Sequence, residues 1–219
     1  MSPEYARKYD HHGPEIFVGE WAAYETSFPP WNKRSQNEPP TPNLKAAIGD
    51  GVFMVAMERN SDLIRMQCYA PLFVNVNPGA RQWRPDLIGY DAISAYGSPS
   101  YYAIQMFSRN LGDEILATTS AETSVQGSAT RDNETGEIFI KLVNPQATAE
   151  PLKIEIKGVA LLAAKGHAIT LSGNLEDSNS LSHPRNVFPV TTTGRGVKPS
   201  FTYKMPPHSI VVLKLKARS

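Results

Sequence analysis

The chain changes character near Asp113, and that change constrains its fold more than any other feature. Up to that point strand-like and helix-like stretches alternate. Strand one is read at Glu15–Gly19, and a long proline-rich loop with Pro29, Pro30, Pro39 and Pro40 follows. A helix runs from Pro42 to Arg59, with Thr41 as cap and Pro42 at the first helical position, where its missing N–H costs nothing. Gly49 and Gly51 weaken it. Strand two spans Arg65–Val76, apolar on both faces as in a parallel sheet, with Pro71 predicting a break near its middle. After a second long loop, Ser98-Pro99 opens another helix that ends before Gly112. Strand, helix, strand, helix implies α/β structure with a parallel sheet.

Beyond Asp113 the sequence reads as all-β. Strands are expected at Glu114–Thr119, Glu137–Val143, Leu152–Ile156, Ala168–Leu171, Phe201–Tyr203 and Ile210–Leu215. The second and third alternate polar with apolar, as half-buried antiparallel strands do. Asp132-Asn133-Glu134-Thr135-Gly136 and Gly194-Arg195-Gly196 mark turns. Strands at this spacing predict an antiparallel β-sandwich. The expected organisation is therefore two domains, residues 1–112 and 113–219.

Composition narrows the functional classes. Lys and Arg number 22 against 21 Asp and Glu, a net charge of +1 without a clustered basic run. The electrostatic footprint of a nucleic-acid binder is missing, and neutral polar partners fit better than polyanions. No stretch approaches the roughly 20 apolar residues of a membrane helix, so neither nucleic acid nor a membrane is an expected partner. Cys68 is the single cysteine; it is expected to be a buried free thiol. His11 and His12 lack further ligands nearby, so no metal site and no cofactor are expected.

The run Pro14-Glu15-Ile16-Phe17-Val18-Gly19-Glu20-Trp21-Ala22 carries the most chemistry. An apolar strand ending in Gly-Glu sets a carboxylate at the strand's carboxyl end, where (β/α) barrels keep catalytic groups. Glu20 is the candidate nucleophile or acid/base; the competing reading is an idle, solvated Glu at a strand exit.

Four segments together resemble one family: Gly13–Ala22; Met57-Glu58-Arg59-Asn60-Ser61-Asp62; Tyr69-Ala70-Pro71-Leu72-Phe73-Val74-Asn75-Val76-Asn77; and Tyr96-Gly97-Ser98-Pro99-Ser100-Tyr101-Tyr102. They resemble the α-L-arabinofuranosidases of glycoside hydrolase family fifty-one, and the remainder is similar in pattern to that family's carboxy-terminal sandwich. The resemblance implies a retaining (β/α)8 barrel enzyme and assigns the nucleophile to Glu20. Trp21 stands where the family often has Tyr. With Asn75, Asn77 and Trp83 it is a candidate for contact with a pentose ring; packing within the loops is the alternative for the latter three.

A retaining glycosidase needs two carboxylates about 5–5.5 Å apart. The family's acid/base is a Glu that usually follows Asn on an earlier barrel strand. Here Asn133-Glu134 and Asn37-Glu38 fall in a turn and a loop, and neither substitutes. A full barrel takes about 250 residues, and residues 1–112 supply two βα units, expected to be the seventh and eighth. The resemblance thus implies a partial (β/α)8 barrel followed by an antiparallel β-sandwich, an inactive carboxy-terminal portion that acts on arabinose-containing oligo- or polysaccharide only with a complementing amino-terminal portion. Exposed strand edges would otherwise favour a homo-oligomer or aggregation. A different class, a non-catalytic carbohydrate-binding or structural β-sandwich module, is the alternative.

Overall fold

The computed structural model describes residues 8–25, 39–80, 84–120 and 123–218. Strand residues outnumber helical ones, 39% to 13%. Strand β1 (Ile16–Trp21) is followed by helix α1 (Leu44–Arg59) and strand β2 (Ile64–Tyr69), and β1 and β2 pair in parallel. Strand two is broken as Pro71 predicts: the chain resumes as β3 (Phe73–Asn75). Strands β4 (Ile88–Tyr90) and β5 (Ala95–Gly97) lie in the stretch expected to be a loop. They join β3 in a small sheet, parallel at β3–β4 and antiparallel at β4–β5. Helix α2 (Pro99–Ser108) starts as foreseen, with Ser98 Oγ accepting from Tyr101 N. Helix α1 starts two residues later than expected. Asn43, not Thr41, is its cap, because the Asn43 side chain accepts from Ala46 N and so satisfies one of the helix's orphan donors.

The rest is sheet: β6 (Glu114–Ile115), β7 (Gln126–Arg131), β8 (Glu137–Asn144), β9 (Glu150–Glu155), β10 (Leu161–Leu162), β11 (Lys165–Ser172), β12 (Val190–Arg195), β13 (Ser200–Met205) and β14 (Ser209–Arg218). Six of them run in the order β12-β11-β14-β8-β7-β6, with β10 also on β14, and every pairing is antiparallel. Strands β9 and β13 form a separate antiparallel ribbon. The large sheet packs against that ribbon on one face through Leu142, Val211, Leu213 and Met205. On the other face Val143, Leu171, Ile210 and Val212 join Leu44, Val55, Ala103 and Phe107 of the helices in one core. That core crosses the boundary at residue 113.

Two expectations are corrected here. β8 is not half-buried: its side chains are covered on both faces, since the helices lie over Val143 and Lys141. Periodicity along one strand reports alternation, not what covers each side. Helix α1 stays continuous through Gly49 and Gly51. A Cβ at Gly51 would sit 2.9 Å from Ile210 Cδ1, so the glycine is the contact that lets the helix approach the sheet.

Lys141 is a buried charge of this layer. It lies wholly out of solvent and pairs with Glu58 of α1, which also accepts from Ser128 Oγ. The Phe107 ring centroid lies 5.7 Å from its Nζ. Desolvation holds the Lys141 amine below its ordinary range, and Glu58 opposes that shift.

Candidate active site

Glu20 lies where the strand stops following simple alternation. Ile16 and Val18 pack on the helical core while Phe17 is exposed. Continuing that period would turn Glu20 toward the helices and Trp21 outward. The pairing prevents it. Val18 stands opposite Gln67 and Trp21 opposite Tyr69, so three steps along β1 match two along β2. The extra residue is a β-bulge at Gly19-Glu20, a device that re-aims a side chain. As a result Trp21 is buried and Glu20 exposed.

The residues after Glu20 are pinned one by one. The Trp21 ring packs on Phe53 and Tyr69, with centroids 4.9 and 5.4 Å away, and its indole N–H donates to Gln67 Oε1. Trp21 O accepts from Ala70 N at 3.1 Å. Ala23 N donates to Asp50 Oδ1 at 2.8 Å. Glu25 Oε1 accepts from Asn43 N at 3.0 Å and from Arg84 Nη2 at 2.9 Å. The Arg84 guanidinium also lies 5.7 Å from the centroid of the Tyr24 ring.

Asp50 is fully buried in α1, and burial pushes its carboxyl from 3.8 up to about 7; the Ser100 hydroxyl and Ala23 N–H pull the other way, and Glu25 pushes it higher. Burial likewise raises the Tyr69 phenol, with Asp50, Glu25 and Asp86 adding to the effect. The carboxylates of Asp50 and Glu25, with the Tyr69 and Ser100 hydroxyls, form a polar knot beneath the loop that leaves β1.

The other sequence candidates fall at different levels. Asn75 ends β3, where its Oδ1 accepts from Asn77 N at 3.0 Å; Asn77 is exposed. Trp83 lies outside the described residues, as does Asn37-Glu38. Asn133-Glu134 lies in the turn between β7 and β8. His11 pairs with Asp62, and both are exposed. Among the described residues no group of three or more His, Cys, Asp or Glu could hold a metal ion. Cys68 is exposed rather than buried: among the described residues β2 pairs only with β1, and most of the strand is uncovered. The same lack of cover leaves Phe17 at 54% and Met66 at 61% exposure. Sequence reading missed Gln67, Asp50 and Glu25. Asp50 carried a signal, a carboxylate inside the apolar stretch of a helix.

The sequence model of the family described as "Alpha-L-arabinofuranosidase C-terminal domain" matches residues 19–209. The chain belongs to that family. It is 32% identical over 205 residues to Alpha-L-arabinofuranosidase 1 of Arabidopsis thaliana, covering 90% of this chain and 28% of that protein. Alpha-L-arabinofuranosidase A of Aspergillus kawachii is 31% identical over 199 residues, covering 90% and 29%. The chain thus spans less than a third of these relatives. Among solved structures, an arabinose-bound MgGH51 α-L-arabinofuranosidase superposes with a TM-score of 0.77 at 33% identity, over 82% of this chain and 28% of that one. The Thermotoga maritima α-L-arabinofuranosidase arabinose complex has a TM-score of 0.75 at 19% identity, over 91% and 42%, a likeness of fold.

Proposed function

We propose that this chain carries the nucleophile of a retaining α-L-arabinofuranosidase, and that its substrate is a terminal α-L-arabinofuranosyl residue on an arabinose-containing polysaccharide. The observation that carries the reading is the bulge at Gly19-Glu20. It exposes one carboxylate at the carboxyl end of a parallel strand while fixing the next residue in the core. A nucleophile must hold its position against the anomeric carbon within a fraction of an ångström, and the anchors at Trp21, Ala23 and Glu25 supply that stiffness.

In this reading residues 1–112 are the last two βα units of a (β/α)8 barrel and residues 113–219 an accessory β-sandwich. Glu20 attacks the anomeric carbon and forms a glycosyl-enzyme, and a second carboxylic acid protonates the leaving oxygen and later activates water. That second group belongs to barrel strands outside this chain. The exposed Phe17, Met66 and Cys68 are the surface the remaining barrel covers. Trp21 serves as the anchor of the nucleophile rather than as a platform for the sugar. Asn75 ends β3 and Asn77 follows it in the loop, both available to sugar hydroxyls, and Trp83 belongs to the sequence that follows.

The test is hydrolysis of an aryl α-L-arabinofuranoside. The chain alone is expected to give no turnover above background. Fused behind six βα units of the Arabidopsis relative, it is expected to gain activity that Glu20→Gln abolishes. Turnover by the chain alone, or an active Glu20→Gln fusion, overturns the assignment.

A further inference from the structure

A cleft that does not include Glu20 lies among β4, β5, α2 and the segment that joins β11 to β12. Its volume is about 470 Å³, and Ile88, Tyr96, Tyr101, Tyr102 and Arg185 are among its lining residues. That size suits a small ligand or a sugar ring. Three features mark it as built.

The first is an aromatic array assembled from distant parts of the sequence. The Tyr102 ring lies 5.2 Å from Tyr101 and 4.8 Å from Phe188, centroid to centroid. The rings reach this position because Gly97 leaves room: a Cβ there would fall 2.3 Å from Tyr101 Cδ1.

The second is a lock between the two walls. Asn179 is buried, and its Nδ2 donates to Gly97 O at 2.9 Å on one wall and to Val187 O at 3.0 Å on the other. Its Oδ1 accepts from Val187 N at 2.8 Å. The Arg185–Phe188 segment is therefore held in place before any ligand arrives.

The third is the charge. Arg185 lies 4.8 Å from the Phe188 ring centroid, and no carboxylate is among the lining residues. Stacking uses the face of a guanidinium and leaves its in-plane N–H donors available for a carboxylate fork. Burial holds the Tyr102 phenol above its ordinary range despite the nearby Arg185, so its hydroxyl remains a donor.

We propose that this cleft is a subsite for a uronosyl residue of the glycan, with the apolar ring face against one ring of the tyrosine pair, whose planes stand at 81° to each other, and the carboxylate held by Arg185. The inference rests on the reading of the protein as glycan-processing, and it adds an acidic sugar to the arabinose recognised at Glu20. A polysaccharide that carries both would be gripped at two points.

Calorimetric titration of the full chain with trigalacturonic acid tests it. Binding is expected to weaken as salt rises, and a neutral α-1,5-arabinotriose is expected to bind at least about tenfold more weakly in the same cell. Arg185→Gln is expected to cost roughly tenfold or more, Arg185→Lys less, and Tyr102→Phe a few-fold at most. Arg185 is exposed, and circular dichroism of each variant confirms that the fold is kept. Glu20→Gln is expected to leave the affinity unchanged, which separates this site from the hydrolytic one. The proposal falls if trigalacturonic acid does not bind, if Arg185→Gln binds as well as the parent, if the neutral trisaccharide matches it, or if a short single-stranded oligonucleotide displaces it at equal concentration.

Discussion

Strands β1 and β8 are both rich in apolar residues, yet they live in opposite surroundings. β8 lies inside the large sheet, with strands on both edges, the ribbon of β9 and β13 on one face and the helices on the other. Even its lysine is sealed in. β1 has one neighbour and one covered face, and its exposed side carries Phe17 and Glu20. Closed packing makes stability depend on every partner. An open face leaves the Glu20 carboxylate and the Phe17 ring exposed. The contrast predicts that equal chemical changes will have unequal consequences in the two regions.

The largest effect is expected at the buried ion pair. Glu58→Ala leaves the Lys141 amine uncompensated with no solvent access, and is expected to cost about 3–5 kcal/mol in urea unfolding. Replacing both partners, Lys141→Met with Glu58→Leu, is expected to restore most of that loss, because desolvating two charges offsets much of their attraction. A double variant as unstable as Glu58→Ala would show that the charges, rather than the packing, hold α1 to the sheet.

Next comes Asp50, whose carboxyl rises from 3.8 to about 7 on folding. A raised value means the fold favours the protonated form. That stability is fully present below pH 3.8 and lost as pH climbs through about 7, up to about 4 kcal/mol in all. Asp50→Asn removes the titration and still accepts from Ala23 N. The stability of the parent relative to Asp50→Asn is therefore expected to fall from pH 4 to pH 8. A difference that stays flat across that range would place the ionisable group elsewhere.

How much of this was legible beforehand follows the same contrast. The carboxylate at a strand exit, the break at Pro71 and the cap at Ser98 are local signals, and the sequence shows them. β7 was missed because Gln126-Gly127-Ser128-Ala129-Thr130 carries little β-branched weight and no alternation; its register comes from its neighbours, β8 along its whole length and β6 at Thr130 and Arg131. The end of β12 was mistaken for a turn, since Gly194 lies inside the strand, where it pairs with Gly166 of β11. The bulge at Glu20 was hidden for a related reason: it exists only in the pairing of β1 with β2. The anchors Gln67, Asp50 and Glu25 are 47, 30 and 5 positions from Glu20 in sequence and meet the loop only through the fold.

A smaller effect is expected at Gln67, the anchor beside the proposed nucleophile. Gln67→Ala removes the acceptor of the Trp21 indole N–H, at a cost of about 1 kcal/mol in stability. In the fused enzyme of the hydrolysis test, the loss should appear in kcat more than in KM, because the sugar still binds while the Glu20 carboxylate loses its fixed bearing. An unchanged kcat would mean that the packing of Trp21 on Phe53 and Tyr69 fixes Glu20 without help from the hydrogen bond.

The smallest change in folding stability is expected on the open face, and it sharpens the comparison most. Phe17→Ser and Met66→Ser remove apolar groups that touch little of this chain, so each is expected to shift unfolding by no more than about 0.5 kcal/mol. A large-to-small change inside β8, Ile138→Ala, is expected to cost about 2–5 kcal/mol. Contiguous exposed apolar side chains drive association, so the same two serine variants should shift light scattering of the isolated chain toward monomer. In the fused enzyme, where the proposed barrel would cover Phe17 and Met66, the two substitutions should instead become as costly as Ile138→Ala. If they stay silent there as well, β1 and β2 do not form part of a closed barrel wall.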